Sequence, residues 1–464
     1  MADSREHQFQ QDIIDGLAAD GWLVGQASGY DRANALYPED LVGFFQEAYP
    51  DRWEKFTKNN PQNPEQALIK ATVRELERQG TLDVLRHGFK VPGVRIETCA
   101  FKPDHGMNPE AQARYRANRL RVVPEVSYSP HARQGEYNPR LDLVLFVNGI
   151  PTATLELKSA FKQSVEQAKR QYKKDRPTKD LQTRKAEPLL TFKRGALVHF
   201  AVSQGEVAMA TKLAGDETVF LPFNQGTQEG GAGNPPPPDE NTYATSYLWR
   251  QVLAPDAWLK VIARFLHMEK KTEEAFDGKR KTKENLIFPR YHQWDVVNRL
   301  LATTAEEGPG KRYLIQHSAG SGKSNSIAWV AHQLASLYGP GGGRLFNSVI
   351  VVTDRTVLDS QLQETIYQFE HAQGVVRPIT RDIGNQSKSE QLADALSEQT
   401  RIIIVTIQTF PALFDALDAR PHLAEGHYAV IADEAHSSQT GSSASKLKAI
   451  LGADKPEDEE VSAE

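Results

Sequence analysis

The chain has 464 residues and a formal net charge of −5, with 39% hydrophobic and 25% charged residues. At roughly 150 residues per domain this length points to two to four domains, and the balance excludes a disordered chain. A single cysteine, Cys99, excludes an intramolecular disulfide framework and suits a reducing compartment. No run approaches about 18 consecutive apolar residues, and MADSREHQFQ lacks a basic-then-apolar signal pattern. A soluble cytoplasmic protein with no membrane segment is expected. The net charge gives no bulk attraction to polyanions, so any nucleic-acid surface must be local. Residues 158–194 hold 12 Lys/Arg against 4 Asp/Glu, a surplus that fits such a surface, although a charge run is ordinarily a solvated face.

Glu6 to Leu23 reads as a helix, with Phe9, Ile13, Ile14 and Leu17 at helical spacing and Gly21 at its end. Residues 30–80 look mostly helical, interrupted by the proline-marked NNPQNPEQ. Leu141 to Val147 and Thr152 to Leu157 alternate as strands around the turn signal Asn148-Gly149. Ser164 to Lys174 reads as a helix and ALVHFAVS as a strand. GTQEGGAGNPPPPDEN, within 225–242, is too rich in Gly and Pro for a core. A first domain is therefore expected over 1–265, with its core at about 85–215 and 225–242 as a loop insertion, and the charged run 266–284 is expected to be a linker. From 285 to 464 the pattern becomes strand YLIQH, loop SAGSGKS, helix NSIAWVAHQLASLYG, then SVIVVT, RIIIVT and YAVIADEAH. This alternation predicts a parallel α/β sheet with helices on both faces.

His317 to Ser324, HSAGSGKS, has the form of a phosphate loop, with His317 where the usual pattern starts with glycine. Ala319, Gly320, Ser321 and Gly322 would curl so that successive N–H groups face phosphate oxygens. Lys323 supplies a charge for the β- and γ-phosphates of ATP, and the Ser324 hydroxyl can bind Mg²⁺. The helix that follows aims its N-terminal dipole at the same phosphates. Asp433-Glu434-Ala435-His436 comes 110 residues after Lys323 (433 − 323), at the end of a strand, where open α/β sheets place ligand-binding groups. There Asp433 would hold Mg²⁺ and Glu434 would orient or deprotonate the attacking water. Gln293, 30 residues before Lys323 (323 − 293), sits where motors of this kind read the adenine edge. Thr353-Asp354-Arg355, and Thr406 with Gln408 and Thr409, follow strands and could hold a phosphate backbone without reading bases. Together these residues resemble the first RecA-like domain of superfamily-two DEAD/DEAH helicases and translocases. The chain stops 28 residues after His436 (464 − 436). Without a second RecA-like domain to bring arginines to the γ-phosphate, it is expected to bind ATP better than it turns it over.

In the first half, YNPRLDLVLFVNGIPTATLELKS carries Asp142, Glu156 and Lys158. Along TATLELK, Glu156 and Lys158 share one face while Leu155 and Leu157 enter the core. A two-residue turn at Asn148-Gly149 would set Asp142 opposite Leu155, on the wrong face. A three-residue loop, Asn148 to Ile150, would pair Asp142 with Glu156, and Pro151 would discourage regular pairing there. Two carboxylates held together repel unless a divalent cation sits between them. A hard oxygen site suits Mg²⁺, which would polarise a phosphodiester, with Lys158 steadying the nucleophile or the charged phosphate. The bland alternative is a surface ion pair of Glu156 with Lys158. Gln167 and Tyr172 lie downstream on the basic helix and could hold DNA.

A Glu-x-Lys nuclease preceding an ATP-driven motor resembles the restriction (R) subunit of type I restriction–modification enzymes. The resemblance runs through NRLRVVPEVSYSP, LDLVLFVNGIPTATLELKSAF, GAGNPPPP, TSYLWRQVL, FPRYHQ and HSAGSGKS. It implies a PD-(D/E)xK endonuclease-like α/β domain followed by a RecA-like parallel-sheet helicase domain. By it Asp142, Glu156 and Lys158 match the nuclease triad, Lys323, Ser324, Asp433 and Glu434 the ATPase motifs, and Gln293 the adenine-reading position. ATP and Mg²⁺ would be the cofactors, and double-stranded DNA with the methyltransferase and specificity subunits the partners. The family often has Gln-x-x-x-Tyr after the nuclease lysine, whereas Gln167 and Tyr172 have four residues between them and Gln171 directly precedes the tyrosine. The rivals are a nuclease–helicase of DNA repair, a type III restriction subunit, and a non-catalytic truncation that binds ATP and DNA. Type III chains put the nuclease after the motor, the reverse of the order here.

Overall fold

The computed structural model describes residues 2–104, 108–133, 135–159, 164–237, 239, 242–274, 280–318, 320–339, 341–353, 356–369, 375–379 and 386–433. They form two compact units, Met1–Trp294 and Asp295–Glu464. Among the described residues no helix is long and apolar enough to cross a membrane.

The first unit opens with helix α1 (Ala2–Ala19). It stops short of Leu23 because Gly21 takes φ +101°, so that the Trp22 N–H donates to the Leu17 carbonyl at 3.0 Å and closes the helix end. Leu23 then begins strand β1 (Leu23–Val24). Helices α2 (Pro38–Ala48), α3 (Pro50–Asn59), α4 (Pro64–Gln79) and α5 (Thr81–His87) follow. Proline opens the first three, where its missing N–H costs nothing. The short hairpin β2 (Phe89–Val91) and β3 (Val94–Ile96) and helix α6 (Pro109–Arg116) lead into the main sheet. That sheet is completed by β4 (Leu120–Ser127), β5 (Arg140–Val147), β6 (Ile150–Lys158), β7 (Val198–Ser203), β8 (Val207–Ala210) and β9 (Leu221–Pro222). The spatial order is β1-β4-β5-β6-β7-β8-β9. β1 runs parallel to β4 and β6 to β7, and the other neighbours are antiparallel. A parallel pair needs a crossover, and helix α7 (Val165–Asp175) supplies it between β6 and β7. Its Val165, Ala168 and Tyr172 join Val144, Phe146 and Ala201 in the core.

The charged run expected as a linker is a hairpin. After helix α8 (Pro255–Lys260), β10 (His267–Glu274) and β11 (Arg280–Ile287) pair antiparallel, with Lys270 opposite Glu284 and their charged groups 3.7 Å apart. Opposite charges facing each other across a ribbon stabilise it, so a high charge content does not argue against strands. The hairpin is tied to the first unit. Thr211 Oγ1 donates to the Leu286 carbonyl at 2.8 Å, Lys193 pairs with Glu284, and the Phe288 ring packs on Phe200 and Phe223. The first unit therefore runs to Trp294 rather than closing near 265.

The chain crosses into the second unit within α9 (Tyr291–Glu307). There α10 (Lys323–Leu334), β12 (Ser348–Thr353), α11 (Thr356–Gln368), β13 (Val376–Pro378), α12 (Lys388–Ser397), β14 (Ile402–Thr406), α13 (Ala412–Ala419) and β15 (Tyr428–Ala432) alternate as expected. The sheet order is β13-β14-β12-β15, every pair parallel. Leu392, Leu396 and Leu413 of α12 and α13 cover the face bearing Ile350, Val352, Ile403 and Val405. One expected strand does not form among the described residues: Tyr313 to His317 pairs with no strand there, and Leu314 is 87% exposed. Apolar composition makes a strand only where a neighbour offers its backbone groups in register. Here the Tyr313 hydroxyl is tied to Glu307 at 2.7 Å.

Candidate functional site

The β5–β6 hairpin decides the geometry of the first site. Asn148 and Gly149 both take positive φ, +48° and +75°, the signature of a tight two-residue hairpin turn. Val147 pairs with Ile150 and Phe146 with Pro151, so the turn is not the three-residue loop expected, and Pro151 sits in regular register. The register then shifts: Leu145 pairs with Ala153, leaving Thr152 as an extra residue in a bulge. Its hydroxyl donates to the Leu145 carbonyl at 3.2 Å and accepts the Trp258 indole N–H at 3.1 Å. Beyond the bulge Leu143 pairs with Leu155, and one step along the same ladder Asp142 faces Glu156. The expected juxtaposition is met, but by a bulge.

Asp142 Oδ2 accepts the Leu157 N–H at 2.6 Å, replacing a ladder bond. Burial pushes the Asp142 carboxyl up to about 6, against the opposing pull of that N–H and of Lys158. Glu156 is fully buried, and burial together with the Asp142 charge raises its carboxyl well above the ordinary range. The Lys158 amine donates to Glu6 Oε1 at 2.9 Å and to the Leu157 carbonyl at 2.7 Å. The expected trio thus stands together, and Glu156 does not make the surface pair with Lys158.

Four further residues complete the site. Glu6 and Gln10 lie four apart on one face of α1, and Gln10 Nε2 donates to the Asp142 carbonyl at 2.8 Å and to Glu125 Oε1 at 3.0 Å. Glu125, in β4 beside Asp142, has φ +57°, a conformation that costs an ordinary residue about 1 kcal/mol. Its carboxylate also takes Arg140 Nε at 2.6 Å. Arg176, buried at the end of α7, donates Nε to Glu156 Oε1 at 2.6 Å. Nothing in the sequence joined α1 to residues more than a hundred positions away. Arg176 was hidden within a charge run that reads as solvated. Ser4, Glu6, His7, Gln10, Glu125, Arg140, Asp142 and Leu157 line a pocket of about 690 Å³.

A divalent metal fits this donor set in one respect. Among the described residues Glu156 Oε2 is buried with no hydrogen-bond partner, and a carboxylate oxygen left that way needs a cation or a proton. Among the described residues no group of three or more His, Cys, Asp or Glu side chains is placed to hold a metal ion. Two carboxylates, with water and substrate oxygens completing the shell, suit Mg²⁺.

In the second unit Gly320 and Gly322 take positive φ, +73° and +83°, and Gly322 caps α10, which starts at Lys323. His317 Nδ1 and Ser321 Oγ lie 3.1 Å apart, so the histidine in the glycine position braces the loop. Ser324 occupies the first turn of α10. Asp433 follows β15, donates its N–H to the Val352 carbonyl at 2.9 Å, and pairs with Lys323 at 3.0 Å. The lysine after the glycine loop and a strand-end aspartate thus meet, 110 residues apart (433 − 323) in the sequence. Ala319, Glu434, Asp354 and Arg355 lie outside the described residues. Gln293 is buried in the first unit, where its Oε1 accepts the Arg290 N–H at 2.9 Å. Thr406 and Thr409 bond each other at 2.9 Å at the end of β14.

Comparison with known proteins accounts for both halves. Residues 48–218 match the family model described as type I restriction enzyme R protein N terminus, and residues 292–455 match SWI2/SNF2 ATPase. The HindI type I restriction enzyme endonuclease subunit of Haemophilus influenzae is 28% identical over 409 residues, 84% of this chain and 35% of that protein. These matches together support reading the chain as part of a type I restriction R subunit. Two proteins of Methanocaldococcus jannaschii named as type I restriction enzyme endonuclease subunits are also similar. MjaVIIIP is 24% identical over 68% of this chain and 29% of its own length, and MjaVIIP 27% over 61% and 23%. The aligned region spans about a third of the curated R-subunit relatives or less. The parallel sheet of the second unit fits the ATPase match.

One expectation fails on helix α7. Tyr172 is fully buried, with its hydroxyl 2.7 Å from Thr154 Oγ1. Thr154 Oγ1 in turn lies 2.8 Å from Nδ1 of His199, whose ring burial lowers to about 3. Tyr172 is therefore a core residue and does not face DNA. Gln167 is exposed and Gln171 half-buried on the same helix.

Proposed function

We propose that this chain is the DNA-cleaving and ATP-binding portion of a type I restriction motor subunit. The first unit is a PD-(D/E)xK endonuclease domain and the second a first RecA-like motor domain. The observation that carries this is the Thr152 bulge, which turns Asp142 toward Glu156 on the face that also presents Lys158. Asp142 and Glu156 would hold Mg²⁺, whose charge, when bound, offsets the negative charge that builds on a phosphodiester under attack. Asp142 is fixed by the Leu157 N–H and Glu156 by Arg176, so both carboxylates are oriented before substrate arrives. Lys158 brings a cation beside Glu6, which lines the pocket. In the hydrolysis, water adds to phosphorus, one P–O ester bond breaks, and the departing oxygen leaves with a proton, giving a phosphate monoester and a free hydroxyl.

In the motor, the Gly320–Gly322 loop and Lys323 hold the ATP phosphates. Ser324 and Asp433 would hold its Mg²⁺, and Glu434 would orient the attacking water. The double-stranded DNA is moved past the enzyme and cut at a distance, with target choice left to specificity and methyltransferase subunits in the cytoplasm. The test uses the complete enzyme. Asp142→Ala, Glu156→Ala and Lys158→Ala should each abolish cleavage while ATP hydrolysis and translocation continue. Cleavage at the unsubstituted rate by either carboxylate variant would refute the assignment.

A further inference from the structure

Arg176 is the residue of the nuclease site that no motif singles out, and its surroundings give it a task. It stands just beyond α7, within the basic run 158–194, yet it is almost fully buried. Its guanidinium touches three elements at once. Nε donates to Glu156 Oε1 in β6 at 2.6 Å, Nη2 to the Arg140 carbonyl in β5 at 2.5 Å, and Nη1 to the Asp175 carbonyl at 3.1 Å. A guanidinium is a rigid planar fork. One bonded on three sides cannot swing, and neither can the carboxylate it grips. Among the described residues one Glu156 oxygen is gripped, and Oε2 is buried without a partner. The bond to Arg140 also ties the fork to the strand that carries Asp142, two residues on.

We propose that Arg176 is a positioning residue for the nuclease site. By fixing Glu156 through Oε1, and β5 through the Arg140 carbonyl, it presents Oε2 toward the Asp142 side for a divalent cation. This rests on the nuclease reading above. Arg176 does not touch substrate. It sets the affinity of the carboxylate pair for metal, because a ligand free to rotate must be ordered each time the cation binds. Lysine keeps the charge but cannot reproduce the fork, having a single flexible amine in place of planar N–H groups.

The experiment compares the complete enzyme carrying R176K, R176Q, E156Q or D142A with the unsubstituted one. Cleavage is measured against free Mg²⁺ at constant Mg-ATP. Thermal shift of the metal-free subunit by Mn²⁺ alone, without DNA or ATP, provides a readout apart from activity. R176K should raise the metal concentration for half-maximal cleavage, and that for half-maximal thermal shift, by about tenfold or more, the usual cost of losing a ligand's supporting bond. The R176K rate at saturating metal should recover most of the unsubstituted value, and ATP hydrolysis should not change. R176Q should be worse on both metal curves, and if it does not fold, R176K alone decides. A purely structural role would lower the metal-free melting temperature of R176K and leave both metal curves in place, which overturns the proposal. If E156Q and D142A still cut at the unsubstituted rate, the nuclease reading itself falls. If they are inactive while R176K binds metal normally, only the role of Arg176 falls.

Discussion

Replacing Asp142 by asparagine should make the metal-free protein more stable at neutral pH. The carboxyl is raised from an ordinary 3.8 to about 6, chiefly by burial. At about 1.4 kcal/mol per pH unit, holding the group ionised in the fold costs up to about 3 kcal/mol above pH 6. The sign follows from which state binds its proton more tightly. The folded state does, so the group favours folding fully below pH 3.8, and that contribution is lost as pH rises through about 6. Asparagine keeps an oxygen for the Leu157 N–H and carries no charge, so it escapes this cost. Thermal melts of the D142N subunit in EDTA should show a gain of ~1–3 kcal/mol at pH 8, or several degrees for a domain of this size. The gain should shrink to about half by pH 5, because the unsubstituted carboxyl is by then largely protonated in the fold. Mg²⁺ at pH 8 should close the gap by stabilising the unsubstituted protein and not D142N. A variant less stable than the original at pH 8, or a gain independent of pH, would refute the picture of a site held at the expense of stability.

Two more expectations are direct. Lys323→Ala should lose most Mg-ATP binding by calorimetry while leaving the melting of the first unit unchanged, and retained ATP affinity would remove Lys323 from the phosphate site. Tyr172→Phe, which deletes a buried hydroxyl bonded to Thr154, should cost about 1 kcal/mol of stability and leave DNA affinity unaltered. A selective loss of DNA binding by a stable Y172F protein would restore the tyrosine to the interface.

Much of the architecture was legible because it is written in local periodicity. The α1 stripe, the β5 and β6 alternation and the α10 to β15 alternation all depend on neighbours within a few residues. The features that escaped depend on distant partners. The hairpin 267–287 looks like a linker until Lys270 is seen opposite Glu284 and Phe288 against Phe200. Tyr172 and Arg176 look like members of a DNA-facing basic helix. The fold turns both inward: Val165, Ala168 and Tyr172 form the buried stripe of α7, and Arg176, just past the helix end, lies beside Glu156. A count of charges along the chain cannot separate a guanidinium in solvent from one gripping a buried carboxylate.

The hairpin shows how a correct juxtaposition can follow from an incorrect local premise. A two-residue turn alone sends Asp142 to the face opposite Glu156, because the side-chain period of a strand is two. The parity of the ladder must change once between the turn and the acids, and an extra loop residue or an extra strand residue does this equally well. Sequence favoured the loop, since Pro151 reads as a disruption of pairing. The fold places the extra residue at Thr152 because that position can be held there. Its hydroxyl reaches the Leu145 carbonyl, the Trp258 indole donates to it, and its own carbonyl accepts the Leu197 N–H at 3.0 Å. The residues that set the register of the two acids therefore include Trp258 of α8 and Leu197, just before β7, and neither lines the pocket. Changes at Trp258 or Thr152 should reach the site through register rather than through contact, which is how a buried bulge comes to govern a surface chemistry.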